Sequence, residues 1–340
     1  MMIKEDIRIQ KCIVHILDTN VGMPVLSEKL TEQGSDLSDF LREHIYKIVS
    51  QDDCKQCEFH KEQSELYKFL VDYEEDRFVE LSVQLANDLY DIMRSNVDIP
   101  SADLFVVRFR AGERDYIAIL KMNYKEFYTH RTLPLEEGNY NEVFKYKAIL
   151  PPEGQKLQEA AVICLNDLKV NVIEKKYEVN GEKTNYFSFL FLKCSSRLSD
   201  KTKLSIVTKA IESVQKENID EKIQFAEQMR AKAIINETLE EKGRFTVEEI
   251  AEKVFEERPQ LADVFQEKME KYDMVREEIA PISEATTRKY EKQCLYTDTG
   301  IEIKIPMDQY KNPGSVEFIT NPDGTVSVLI KNVEHMQAKF

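Results

Sequence analysis

Residues 104–124 read LFVVRFRAGERDYIAILKMNY, and their reading decides the fold. Apolar residues recur at every second position on both sides of AGERD, which predicts strands over Leu104 to Arg110 and Tyr116 to Tyr124 joined as a hairpin. With Gly112-Glu113 as a two-residue turn, Phe105, Val107 and Phe109 share a face with Tyr116, Ala118 and Leu120. Leu104, Val106, Arg108 and Arg110 then lie beside Ile117, Ile119 and Lys121, a face apolar at one end and basic at the other.

Upstream, DIRIQKCIVHILD (6–18) reads as a strand, and Met23 to Leu26 as a second short one after the Asn20-Val21-Gly22 turn signal. Ser38 to Val49 has helical spacing. Glu65 to Arg94 carries the strongest helical signal, with Phe78, Leu81, Leu85, Leu89, Ile92 and Met93 on one face. Downstream, strands are predicted at Val143 to Leu150, Ala160 to Leu165, Lys169 to Val179 and Tyr186 to Leu192. Strands in sequence without repeated βα alternation mark an α+β fold, here a mainly antiparallel N-terminal sheet with long packing helices. A helical segment and a small C-terminal β unit follow. The Ile219 to Leu239 helix stops at Gly243, and Thr246-Val247-Glu248-Glu249 is a capping box. Asp323-Gly324 marks a hairpin. With 340 residues, two domains are expected, an α+β domain over 1–215 and an acidic helical domain with a β-hairpin unit over 216–340.

The net charge is -15, which at long range repels phosphate. It divides unevenly. Lys plus Arg against Asp plus Glu is 11 against 21 over residues 1–100, 18 against 15 over 101–214, and 18 against 26 over 215–340. The middle third is where contact with a polyanion costs least. Its cationic candidates are Arg108, Arg110 and Lys121 on the hairpin, and Lys193, Arg197, Lys201 and Lys203 at a strand-to-helix junction rich in hydroxyls. Such a junction can hold a phosphate on free backbone N–H groups, although a capped helix on a polar loop has the same sequence.

Cys54-Lys-Gln-Cys57-Glu-Phe-His60 supplies three possible zinc ligands, with no second pair to complete a tetrahedron. FTVEEIAEKVF resembles the first helix of a helix-turn-helix, yet the helix after it carries Asp263, Glu267 and Glu270, which would repel phosphate. Phosphate-binding glycine loops, nucleophile elbows and zinc-protease motifs are absent. No cofactor and no catalytic residue is therefore assigned. No apolar run approaches the length of a spanning helix, and MMIKEDIRIQ has no apolar core behind its charges, so a cytoplasmic protein is expected.

Four stretches in order carry a family resemblance: Glu62-Gln63-Ser64-Glu65-Leu66, Phe78-Val79-Glu80-Leu81, Asp103-Leu104-Phe105-Val106-Val107, and Tyr186-Phe187-Ser188-Phe189-Leu190 before the basic junction. In order and length the chain resembles the bacterial nucleoid-associated NdpA, or YejK-like, family. The resemblance implies a non-enzymatic nucleoid protein that binds double-stranded DNA, and we expect phosphate contacts without base readout and a homodimer. A module recruited to the nucleoid by a DNA-processing partner is the rival reading, and a metal-dependent enzyme acting on nucleic acid is a third.

Overall fold

A computed structural model describes residues 2–136 and 138–337 of the chain. It divides into two compact units, Met1–Leu198 and Ser199–Phe340. The sequence placed the boundary after residue 215. It falls earlier because Leu204, Val207, Ile211 and Val214 of the following helix pack with Ile235, Leu239 and Phe265.

The first unit runs β1 (Ile7–Leu17), α1 (Ser35–Val49), β2 (Lys55–Phe59), α2 (Glu65–Val71) and α3 (Phe78–Ser95). The central hairpin follows as β3 (Ala102–Ala111) and β4 (Arg114–Asn123), then a second one as β5 (Lys125–Leu135) and β6 (Gly138–Ile149). After these come β7 (Glu159–Cys164), β8 (Val170–Ile173), β9 (Tyr177–Val179), β10 (Glu182–Thr184) and β11 (Cys194–Ser196). Seven of these strands form one sheet in the order β1-β3-β4-β7-β8-β2-β11, with every pairing antiparallel.

The predicted register of the central hairpin holds. Ala111 lies opposite Arg114, Phe109 opposite Tyr116 and Leu104 opposite Lys121. Gly112 opens the turn at φ +59°, a left-handed value that costs glycine little because it has no Cβ. The two faces separate as the alternation requires. Phe105, Val107, Phe109, Ala118 and Leu120 pack with Leu41, Ile45 and Ile48 of α1. Leu104, Val106, Ile117 and Ile119 pack with Phe78, Leu81, Leu85 and Leu89 of α3. Each fully buried side chain of this size contributes roughly 1.5–3 kcal/mol, so helices on both faces stabilise the sheet far more than one would.

Two readings are corrected, and one strand was not foreseen. Met23 to Leu26 forms no strand; Val25 makes a single bridge to Ile16. The strand predicted over Tyr186 to Leu192 is a π-helical turn, Phe187–Leu192, in which the Phe187 and Phe191 rings pack tilted at 53°, with centroids 5.1 Å apart. A short apolar run does not distinguish a buried strand from a buried helical turn. The strand β5, whose apolar residues are diluted by Lys, His, Arg and Thr, has no counterpart in the sequence reading.

In the second unit, α4 (Asp200–Asn218) and α5 (Glu221–Lys242) precede β12 (Phe245–Thr246), α6 (Val247–Val254) and α7 (Pro259–Glu270). Gly243 ends α5 at φ +67°, and the Thr246 hydroxyl accepts the Glu249 N–H, as the capping box requires. Then come β13 (Glu278–Ile279), α8 (Glu284–Thr287), β14 (Lys292–Tyr296), β15 (Glu302–Pro306), α9 (Met307–Tyr310), β16 (Val316–Thr320) and β17 (Val326–Ile330). The last four strands pair as two hairpins.

Burial of the α3-side face has an electrostatic consequence. Lys121 is 0% exposed. Its Nζ lies 3.6 Å from Glu159 Oε2, donates to the Pro100 carbonyl at 3.0 Å, and also contacts Asn123 Oδ1. Burial drives its pKa down to about 8, against the attraction of Glu159. Breaking one side of a buried ion pair strands the other charge. Lys121→Met is therefore expected to destabilise the protein by about 3–5 kcal/mol, and Lys121→Met with Glu159→Leu to recover most of that loss in urea unfolding.

His15, on β1, is equally buried, and its Nδ1 accepts the Ser27 N–H at 3.1 Å. Burial lowers its pKa to about 4. Between pH 6.5 and 4 the unfolded chain takes up a proton that the folded chain refuses, so acidification through this window costs stability, by roughly 2–4 kcal/mol. His15→Asn keeps the acceptor and removes the titration; its unfolding free energy is expected to fall less steeply from pH 6.5 to 4.

Candidate nucleic-acid interface

The seven cations named from sequence do not form one surface. Lys121 is in the core, as described. Arg108 is 8% exposed, and its Nη1 donates to Asp115 Oδ1 at 3.0 Å. Both lie on the side of the sheet that carries α3, and each is enclosed by its own partners, Glu159 and the Pro100 carbonyl for Lys121 and Asp115 for Arg108. A guanidinium or ammonium so placed has no path to a phosphate in this conformation.

Arg110 is different. It is two residues nearer the turn, on the same face as Arg108, and it is exposed. The sheet register sets it directly across from Arg8 of β1, also exposed. Like charges opposed across two strands repel and are ordinarily destabilising. Among the described residues neither guanidinium has an ion pair. Asp115 lies across from Arg110 on its other side, but its carboxylate holds Arg108.

Neighbouring groups extend this basic end of the sheet. Lys11, opposite Arg108, reaches Glu75 Oε1 at 3.1 Å. Arg114 at the turn meets Asp167 at 3.2 Å, and Lys169 shares that carboxylate at 3.7 Å. The β7–β8 turn is held here by the Leu165 N–H, which donates to the Asp115 carbonyl at 2.8 Å. Glu113 in the hairpin turn and Asp6 just before β1 are further acids at this end. Arg8 and Arg110 thus supply the charge that no carboxylate has taken.

Lys193 and Arg197 lie at the opposite edge of the same sheet. Five strand spacings separate β3 from β11, about 24 Å. Lys193 is fixed by the π-helical turn, which it terminates at φ +52°. That turn is anchored by Glu174, which accepts from the Ser188 N–H at 2.9 Å and the Ser188 hydroxyl at 2.8 Å, and pairs with Lys55 at 3.0 Å. The Lys193 side chain is exposed, and Arg197 makes an exposed ion pair with Glu58 at 2.8 Å. Such a pair contributes about 0–1 kcal/mol, so a phosphate can displace the carboxylate.

Lys201 and Lys203 belong to the second unit. Ser199 caps α4 by accepting the Thr202 N–H, so the junction is a capped helix start. Lys203 pairs with Glu277 at 2.5 Å and Asp200 at 3.8 Å. The acidic helix α7 exposes Asp263, Glu267 and Glu270. A recognition helix with that surface would meet phosphate repulsion, as its sequence indicated.

The cysteine cluster does not converge. Cys57 points into the α3-side core, whereas Cys54, three residues earlier, packs on the α1 side, and His60 is exposed. Burial pushes both thiols up to about 12, which disfavours the thiolates a metal needs. Among the described residues no group of three His, Cys, Asp or Glu side chains is arranged to hold a metal ion. No helix among them is long and apolar enough to cross a membrane.

Arg8 was missed in the sequence because a lone arginine in an alternating strand reads as an ordinary solvent-side residue. Only the pairing of β1 with β3 sets it beside Arg110. No curated protein matches the chain. The family model described as nucleoid-associated protein YejK matches residues 13–337, nearly the whole length, and the chain belongs to that family.

Proposed function

We propose that this protein is a nucleoid-associated protein whose first unit touches double-stranded DNA through its backbone phosphates, without base readout and without a catalytic step. The observation that carries the reading is the opposed Arg8–Arg110 pair. Two exposed guanidinium groups across a strand pairing, with no carboxylate of their own, are best neutralised by an external anion. Family membership supports association with the nucleoid and makes DNA the anion to expect. Lys193 and Arg197 offer a second contact on the far edge of the sheet.

The charge balance limits the strength of such contact. A chain with net charge -15 repels the duplex everywhere except at these points, so few phosphates are engaged and binding is weak at high salt. Each phosphate contact contributes about -0.9 to the slope of log K against log salt. In a salt titration with mixed-sequence duplex, Arg8→Glu and Arg110→Glu should each weaken binding uniformly across sequences and flatten the slope by about one. The Lys121 variants should leave that slope unchanged. Binding that ignores reversal of Arg8, Arg110, Lys193 and Arg197 would sink the assignment.

A second reading has its own observation. The exposed face of α7 is acidic, and residues 215–340 carry 18 Lys and Arg against 26 Asp and Glu. That surface suits a basic protein partner that itself holds DNA. Co-purification of such a partner that survives nuclease treatment, together with no duplex binding at low salt, would favour recruitment over direct contact.

A further inference from the structure

In the second unit, residues of α4, α5 and β14 line a cleft of about 480 Å³. That volume falls in the range of small-molecule sites, roughly 300–1,000 Å³. The strand is tied to the helix by the Gln293 side-chain amide, which donates to the Met229 carbonyl of α5 at 2.9 Å. Buried Ile211 and Ile235 supply apolar lining, with half-buried Phe225 from α5 and exposed Tyr296 from β14. Four polar side chains converge on the same space: Glu212 and Gln215 of α4, Lys232 of α5, and Lys289 just before β14.

These polar groups do not satisfy one another. Lys232 is half-buried, and among the described residues it has no carboxylate partner. Its Nζ donates to the Lys292 carbonyl at 2.5 Å, which leaves two N–H groups of the ammonium. Burial lowers its pKa, the response of an ammonium that has lost water without gaining an anion. Lys289 and Glu212 are exposed, and among the described residues neither side chain makes an ion pair or a hydrogen bond. Gln215 is 1% exposed, and its Nε2 donates to the Glu227 carbonyl at 3.1 Å. That contact fixes the amide, so Oε1 is a buried acceptor left without a donor.

We propose that this cleft binds a purine nucleoside monophosphate. Lys232 and Lys289 take the phosphate, and Glu212 accepts from the ribose hydroxyls. Phe225 and Tyr296 offer ring faces to the base, and adenine and guanine both carry the exocyclic amino group, the kind of donor that Gln215 Oε1 lacks. The mixed charge selects this class. A bare anion or a fatty acid would meet Glu212 with no donor to give it, and a neutral aromatic compound would leave both lysines unmatched. A duplex is disfavoured here, because residues 215–340 carry 18 Lys and Arg against 26 Asp and Glu. The proposal goes beyond the DNA contact and is independent of it, since every residue of the cleft belongs to the second unit.

The test is isothermal titration of the full chain with AMP and with GMP, each to about 5 mM, where saturable one-to-one binding with a sub-millimolar Kd is expected from at least one. Adenosine should bind about tenfold more weakly than AMP, and inorganic phosphate more weakly still. Lys232→Gln keeps a donor for the Lys292 carbonyl; it should weaken AMP about tenfold and leave adenosine unchanged, a split that damage to the fold does not produce. Lys289→Glu, at an exposed position, should act in the same direction. Phe225→Ala should weaken AMP and adenosine alike, by about tenfold. Absence of saturable binding by both nucleotides overturns the proposal. So does AMP binding that ignores both lysine changes, or adenosine or phosphate binding as tightly as AMP. Loss of AMP binding in Arg8→Glu or Arg110→Glu would place the nucleotide on the phosphate contacts of the first unit and overturn it as well.

Discussion

The central hairpin is buried on both faces, and the rest of the first unit follows from that constraint. Helix α1 occupies one side of β3 and β4 and α3 the other. A strand enclosed in this way has no solvent face along its middle, so any charge it carries must be paired or sit beyond the helices. Lys121 and Arg108 take the first course, through Glu159 and Asp115. Arg110 takes the second, and the pairing of β1 brings Arg8 alongside it.

The same constraint organises the two ends of the sheet. At the Gly112 turn, cover gives way to a cationic rim. At the other end, past Asn123, the chain continues as a ribbon without a helix over it. About ten residues of strand, roughly 34 Å, lie between the two. One end therefore has surplus charge and the other surplus apolar surface.

The cysteine cluster shows how spacing misleads when the backbone is extended. Cys54 and Cys57 are three apart, near neighbours on a helix or in a knuckle. At the start of β2 this spacing sends them to opposite sides of the sheet, where each behaves as a small apolar group. The apolar run FSFLFL misled in the other sense: its composition fits a strand, while the Phe187–Phe191 ring contact and the Glu174 anchor hold it as a helical turn.

By itself the sequence determined the α+β class, the hairpin register, the core face of α3 and the caps of α5 and α6. All of these are local, set by a period of two, a period of 3.6 or a residue suited to one backbone conformation. It also located the least acidic third of the chain. Only the tertiary structure decided which cations remain accessible. Periodicity says that Arg108, Arg110 and Lys121 share a face but not where the covering helix ends, and nothing local links Arg8 to a strand a hundred residues away. Burial and long-range pairing are properties of the assembled sheet, and they removed two of the seven named cations from solvent while supplying one that the sequence had not marked.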